Sequence, residues 1–244
     1  MKAAIFEKPG IENLKIKDDV EQSKITDHDT LIRVKAAGVN PVDHITVSGA
    51  REIKPLPHIP GAETSGVVEE AGLHVTSLKR GDAVIVHNKV FDGICDMCMN
   101  GDDMLCRHGG LIGVVTNGAF AEYIVVPEKN AFKISDEMQW ELAASLPVTT
   151  LTPYQALKQA ALKINEFLLI YGASGNTGMM ATQFGKKMGA KVVAVSKDNW
   201  IKDFGADYTI TEYDRVPEKV KELTQGKMSD VVLNSSGATQ SSIM

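Results

Sequence analysis

Three cysteines stand close together in DGICDMCMNGDDMLC, residues 92–106, as Cys95, Cys98 and Cys106, a C-x2-C-x7-C spacing that holds every cysteine of the chain. In a reducing compartment such a cluster is a poor disulfide framework, because local pairing leaves one thiol over; metal or redox chemistry is the leading reading. A second stretch with chemical potential is GASGNTG, made of Gly172, Ala173, Ser174, Gly175, Asn176, Thr177 and Gly178. It follows the apolar run FLLIYG and precedes the helix-like MMATQFGKKMG. In that setting a GxxGxxG pattern lets the backbone turn sharply and approach a pyrophosphate, which sits at the helix N-terminus where N–H groups point outward. The next strand, KVVAVS, ends in Ser196 and Lys197 where an NAD site places an acidic residue. A hydroxyl and an ammonium suit a 2′-phosphate, so the expected cofactor is NADP. NAD is the alternative, because Asp198 is nearby and Lys197 also reads as a solvated surface lysine.

The elements that must position these residues fall into two kinds. Through about residue 135 the chain carries short β-like runs, KAAIFE, TLIRVKAAGV, SGVVEEAG, DAVIVHN and FAEYIVV, punctuated by Gly, Pro, Asn and Asp. From Trp140, WELAASLPVTTLTPYQALKQAA has helical apolar periodicity, with Pro147 and Pro153 interrupting or bounding its turns. Beyond it FLLIYG, KVVAVS, YTI and DVVLNSS alternate with helical stretches, the pattern of a parallel sheet covered by helices. The domains expected are a β-rich one over 1–139 with a cysteine lobe at 91–108, linking helices over 140–162, and a dinucleotide-binding α/β segment over 163–244. Charged residues make up 23% and the net charge is −5, so the basic stripe of a nucleic-acid binder is missing and a small-molecule substrate is expected. No run approaches the roughly 20 apolar residues of a membrane span, and MKAAIFEKPG lacks a signal-peptide core; a cytoplasmic protein without membrane or nucleic-acid partners is expected.

Several motifs in register, AAGVNPVDH, HIPGAETSGVVEEAG, GDAVIV, GAFAEYIVVP, AASLPVTTLTPYQAL, GASGNTG and FGADYTI, resemble the medium-chain dehydrogenase/reductase family of zinc alcohol dehydrogenases and quinone oxidoreductases. The resemblance runs from residue 1 to about Ala238. It implies a GroES-like β-rich domain followed by a Rossmann-type parallel α/β domain, and hydride transfer between a nicotinamide and a carbonyl or alkene. It also implies a structural-zinc lobe of pattern C-x2-C-x2-C-x7-C, which places Asp92, Cys95, Cys98 and Cys106 at the four ligand positions, with aspartate in place of the first cysteine. A carboxylate can complete a tetrahedral zinc shell, and a closed shell leaves no site for catalytic water. Asp96, Asp102, Asp103 and His108 are other oxygen or nitrogen donors in the lobe, off the family's spacing.

At the three positions where zinc alcohol dehydrogenases hold a catalytic metal, this chain has Asn40, Ala62 and Val148. None substitutes for a thiolate or imidazole, so a zinc-free reductase of quinones or activated alkenes is the activity the resemblance implies, with an alcohol dehydrogenase of atypical metal arrangement, or a non-catalytic dinucleotide-binding remnant, as the alternatives. Asn40, within GVNPVD, is implied beside the nicotinamide, and Thr149 and Thr150 on the cofactor side. Their plain readings are a turn-forming Asn before Pro41 and helix-capping hydroxyls. His44 is a candidate proton donor, or a structural histidine. Asp43 reads as a polar anchor and Glu63 as structural, while Val47 replaces an arginine of the quinone-reductase branch. After DVVLNSSGA only TQSSIM remains, so the second half of the Rossmann domain is expected to lie outside this chain, with another chain or a homo-oligomeric contact covering the open sheet edge.

Overall fold

The computed structural model describes residues 1–236; the TQSSIM tail and the last residues of the expected α/β segment lie outside the described residues. The chain divides into two compact units, Met1–Val148 and Thr149–Met244. Among the described residues no helix is long and apolar enough to cross a membrane.

The first unit opens with β1 (Ala3–Ile5) and β2 (Lys15–Lys17), an antiparallel pair. The long strand β3 (Asp29–Gly38) is followed by helix α1 (Pro41–Ser48), β4 (Glu63–Ala71), β5 (Ala83–Val86) and the short β6 (Lys89–Val90). The one-turn helix α2 (Asp96–Met99), β7 (Gly110–Leu111), β8 (Tyr123–Pro127), β9 (Ala131–Lys133) and α3 (Trp140–Ala144) complete it. Five of the strands form an antiparallel sheet in the order β8-β3-β4-β5-β9. Side chains alternate across a strand, so one face is apolar: Ile32, Val68, Val84, Val86, Ile124 and Val126 pack together there and are buried. Each such side chain stabilises the unit by about 1.5–3 kcal/mol. The register of β3 against β4 slips at Leu31/Ile32 and at Val34/Ala36, and irregularities of this kind bend a strand.

In the second unit, α4 (Leu151–Gln159) leads into β10 (Phe167–Tyr171), α5 (Asn176–Lys187), β11 (Lys191–Val195), β12 (Tyr208–Ile210), α6 (Val216–Leu223) and β13 (Val231–Asn234). The strands are parallel in the order β12-β11-β10-β13. β10 and β11 are apolar on both faces because both are covered. Leu168, Ile170, Val192 and Ala194 pack with Leu157, Ala181 and Ile201, whereas Leu169, Tyr171, Val193 and Val195 pack with Ile210, Val216 and Val220. β13 is less covered: Val232 remains 51% exposed.

The helical stretch expected from Trp140 is broken into pieces. Pro147 falls in a π-helical segment, Leu146–Thr150, between α3 and α4, while Pro153 stands in the first turn of α4, where its missing N–H breaks no intrahelical bond. The segment IKDFGAD contributes to a 3-10 helix, Asn199–Phe204.

Candidate functional site

The cysteine lobe is bracketed by β6 and β7, which pair antiparallel. Cys95 stands at the start of α2 and Cys98 lies within it, while Cys106 follows a 3-10 turn, Asp103–Leu105. One ligand atom from each of Asp92, Cys95, Cys98 and Cys106 lies within 4.8 Å of the others. The Cys95 sulfur is 3.6 Å from that of Cys98 and 3.9 Å from that of Cys106. A disulfide needs about 2.05 Å, so these thiols are free. Tetrahedral zinc with bonds of about 2.3 Å would hold its sulfurs about 3.8 Å apart, so the spacing and the donor set of three thiols and one carboxylate fit that ion.

The electrostatics of the cluster are uneven. Desolvation, then hydrogen bonds shared with Cys95, Cys106 and Asp92, push the Cys98 thiol up to about 12. The Cys95 thiol is lowered, first by the backbone of Arg107 and then by Cys98. Asp92 is held well below the usual carboxylate range by His108 and by the backbone N–H groups of Cys95 and Ile94. His108 lies 2.6 Å from Asp92 Oδ2 through Nδ1, and Asp96 pairs with Arg107 at 2.6 Å through both oxygens. Neither therefore joins the thiol cluster, and Asp102 and Asp103 also stand outside it.

A second polar centre lies inside the β-rich unit. Asn40 is the N-cap of α1, with Pro41 at the first helical position, a pairing that starts helices well. Asp43, one turn in, reaches back to accept the Asn40 N–H at 2.7 Å and takes the Ala62 N–H at 3.0 Å. Burial raises its pKa against these bonds. The Asn40 amide donates to Glu63 Oε2 at 2.7 Å, and the Val148 N–H donates to Glu63 Oε1 at 2.9 Å. Asn40 and Val148 are thus joined through the buried Glu63 carboxylate, and Asn40 and Ala62 through Asp43. His44 is exposed on α1. Thr149 is buried and belongs to the second unit.

The glycine loop joins β10 to α5. Gly172 has φ +72°, and a Cβ there would meet the Ser236 backbone at 2.9 Å; at Gly178 it would meet the Gly172 carbonyl oxygen at 2.2 Å and Ala173 Cα at 2.7 Å. Only glycine fits these two places. Gly175 differs, because a Cβ there would meet only the Gly172 oxygen, at 3.4 Å, and the residue is exposed. It caps α5, and the first intrahelical bond is Met179 N–H to Gly175 C=O, so the N–H groups of Asn176, Thr177 and Gly178 lie ahead of that ladder. Asn176 is exposed, Ser174 and Thr177 are half-buried, and Gly178 is buried. The Ser235 hydroxyl, just past β13, donates to the Tyr171 carbonyl at 2.8 Å and lies 3.2 Å from the Gly172 carbonyl, fastening the loop. Sequence reasoning missed Ser235, since no spacing marks it as a loop partner. Ser196 is fully buried and its hydroxyl accepts the Asp198 N–H at 2.9 Å, whereas Lys197 is exposed beside it.

Comparison with known proteins accords with this architecture. Residues 26–136 match the alcohol dehydrogenase GroES-like domain, and residues 177–243 match the zinc-binding dehydrogenase family. An alcohol dehydrogenase of Geobacillus stearothermophilus is 38% identical over 95% of this chain and 70% of its own length. Human quinone oxidoreductase is 29% identical over 79% of this chain and 51% of its own. The structure of a cobalt and zinc bound thermostable alcohol dehydrogenase from Pyrobaculum aerophilum superposes with a TM-score of 0.91 at 39% identity, covering 100% of this chain and 73% of that one. The chain belongs to the medium-chain dehydrogenase/reductase family of NAD(P)-dependent oxidoreductases, and pairs a GroES-like domain with a Rossmann-like parallel sheet. It spans about 70% of the length of the alcohol dehydrogenases it matches and about half that of the quinone oxidoreductase.

Proposed function

We propose that this chain is an NADP-dependent reductase of quinones or activated alkenes and carbonyls, working by hydride transfer without a catalytic zinc. The observation that carries the reading is the set of groups around Glu63. Asn40, Ala62 and Val148 offer amide, methyl and isopropyl side chains where a catalytic zinc needs thiolates or imidazole, and the Asn40 amide and the Val148 N–H are both taken up by Glu63. Reduction of an electron-poor alkene asks mainly for positioning, because the conjugated carbonyl stabilises the developing negative charge. Bound nicotinamide would supply the hydride. Asn40, its amide oriented by Glu63, offers a hydrogen bond to substrate or cofactor; His44, exposed on α1, donates a proton to the substrate after hydride transfer; Thr149 serves the cofactor side.

The cofactor is assigned to Gly172, Ser174, Gly175, Asn176, Thr177 and Gly178 for the pyrophosphate, and to the Ser196–Lys197 corner for the 2′-phosphate. Because the Ser196 hydroxyl is buried and engaged, the exposed Lys197 ammonium bears that preference. One structural zinc is assigned to Asp92, Cys95, Cys98 and Cys106, supported by the sulfur spacing. The partly uncovered β13 supports a homo-oligomer or a covering chain. The net charge of −5 supports small-molecule substrates over nucleic acid, and a sequence without a membrane-length apolar run supports a cytoplasmic protein without membrane partners.

The second reading, an alcohol dehydrogenase with an atypical metal arrangement, is favoured by the names of the relatives. One assay separates the two: NADPH consumption with a panel of quinones and enones, set beside NADP+ reduction by alcohols with and without added zinc. Turnover of the electron-poor substrates that survives mild chelation is expected. Metal-dependent alcohol oxidation overturns the zinc-free reading, and nucleotide binding without any turnover leaves a non-catalytic dinucleotide-binding protein.

A further inference from the structure

Asp92 is held from two sides. Its Oδ1 accepts the N–H groups of Ile94 at 2.9 Å and Cys95 at 3.0 Å, and its Oδ2 lies 2.6 Å from His108 Nδ1. A carboxylate offers about four lone-pair positions, so these three bonds leave one, on Oδ2, for the thiol cluster, whose Cys98 also bonds this carboxylate. The carboxylate accepts, so Nδ1 carries the proton. A cysteine presents its sulfur through one side-chain torsion, whereas aspartate adds a second that is broad and only loosely staggered. A carboxylate at a cysteine position therefore needs an orienting partner that a thiolate does not. The two backbone bonds come with the turn that carries Asp92. The His108 bond comes from 16 residues away, on a stretch anchored to α2 by the paired Arg107–Asp96 contacts.

We propose that His108 is a positioning residue of the metal lobe, fixing the Asp92 carboxylate so that its remaining Oδ2 lone pair faces the three thiols. The proposal rests on the zinc reading given above. The His108 side chain is 73% exposed and that of Asp92 only 19%, so the ring acts from the solvent side and its replacement leaves the core untouched.

The test is zinc affinity by chelator competition on the full chain, together with the visible spectrum of its cobalt-substituted form, in a double-mutant cycle. His108→Ala should weaken zinc about tenfold, the lower end for partners of metal ligands, and shift the cobalt bands. His108→Asn, whose amide N–H can stand where Nδ1–H does, should recover most of the affinity. In an Asp92→Cys background His108→Ala should change neither readout, because the oriented carboxylate is gone. Unchanged affinity in His108→Ala, or an equal loss in both backgrounds, overturns the positioning role while leaving the zinc site standing. A wild-type chain that takes up neither metal overturns both.

Discussion

Glu63 ties three separate stretches of the β-rich unit through one carboxylate: the Asn40 amide ahead of α1, the Val148 N–H past α3, and its own strand β4. Removing the acceptor while the donors stay buried costs about 1–3 kcal/mol for each orphaned group. Glu63→Ala should accordingly destabilise the protein severalfold more than Glu63→Gln, which keeps one acceptor oxygen, in urea unfolding followed by fluorescence; equal midpoints for Glu63→Ala and wild type would contradict this. The residue's structural role was legible from its place in the HIPGAETSG motif. Its particular partners were not, because Asn40 and Val148 lie 23 and 85 residues away and no periodicity links them. The same holds for His108, which the sequence offered as an extra ligand and the structure sets against Asp92.

At the scale of elements, the loop between β10 and α5 separates two uses of glycine that look identical in sequence. Gly178→Ala forces a methyl into the Gly172 carbonyl and should destabilise the second unit by about 1–3 kcal/mol. Gly175→Ala has room in the protein and should leave the thermal midpoint nearly unchanged; under the proposed cofactor assignment, in which the pyrophosphate lies against its open side, it should weaken NADPH. Unaltered NADPH affinity in Gly175→Ala would remove the loop from the cofactor assignment. The strand–loop–helix order was readable because β10 and β11 are buried on both faces and so appear as unbroken apolar runs. Boundaries around Pro147 were not, since propensity cannot tell a π-helical break from two abutting helices.

Across the whole molecule, pH reaches stability through the buried His58 and the half-buried His87. Burial lowers the pKa of His58 and of His87, and His58 Nε2 donates to the Gly113 carbonyl at 3.0 Å as a neutral ring. The unfolded chain binds these protons first. Stability is therefore fully present above the ordinary value of 6.5 and falls as the pH drops through the folded pKa values. Urea midpoints should decline from neutrality to about pH 5, with a shallower decline in His58→Gln; parallel slopes would show that His58 does not titrate with unfolding. Two-part architecture was legible in the change of hydrophobic period near Trp140, where length and composition left one domain or two open. Packing against Gly113 was not, because a lone histidine carries no sign of its depth. Every enzymatic reading depends on one binding event, so the most direct measurement is fluorescence titration of the 244-residue protein with NADPH and, in parallel, NADH. Saturable binding of both, tighter for NADPH, is the expected result, and absence of saturable binding for either nucleotide would contradict the proposed reductase.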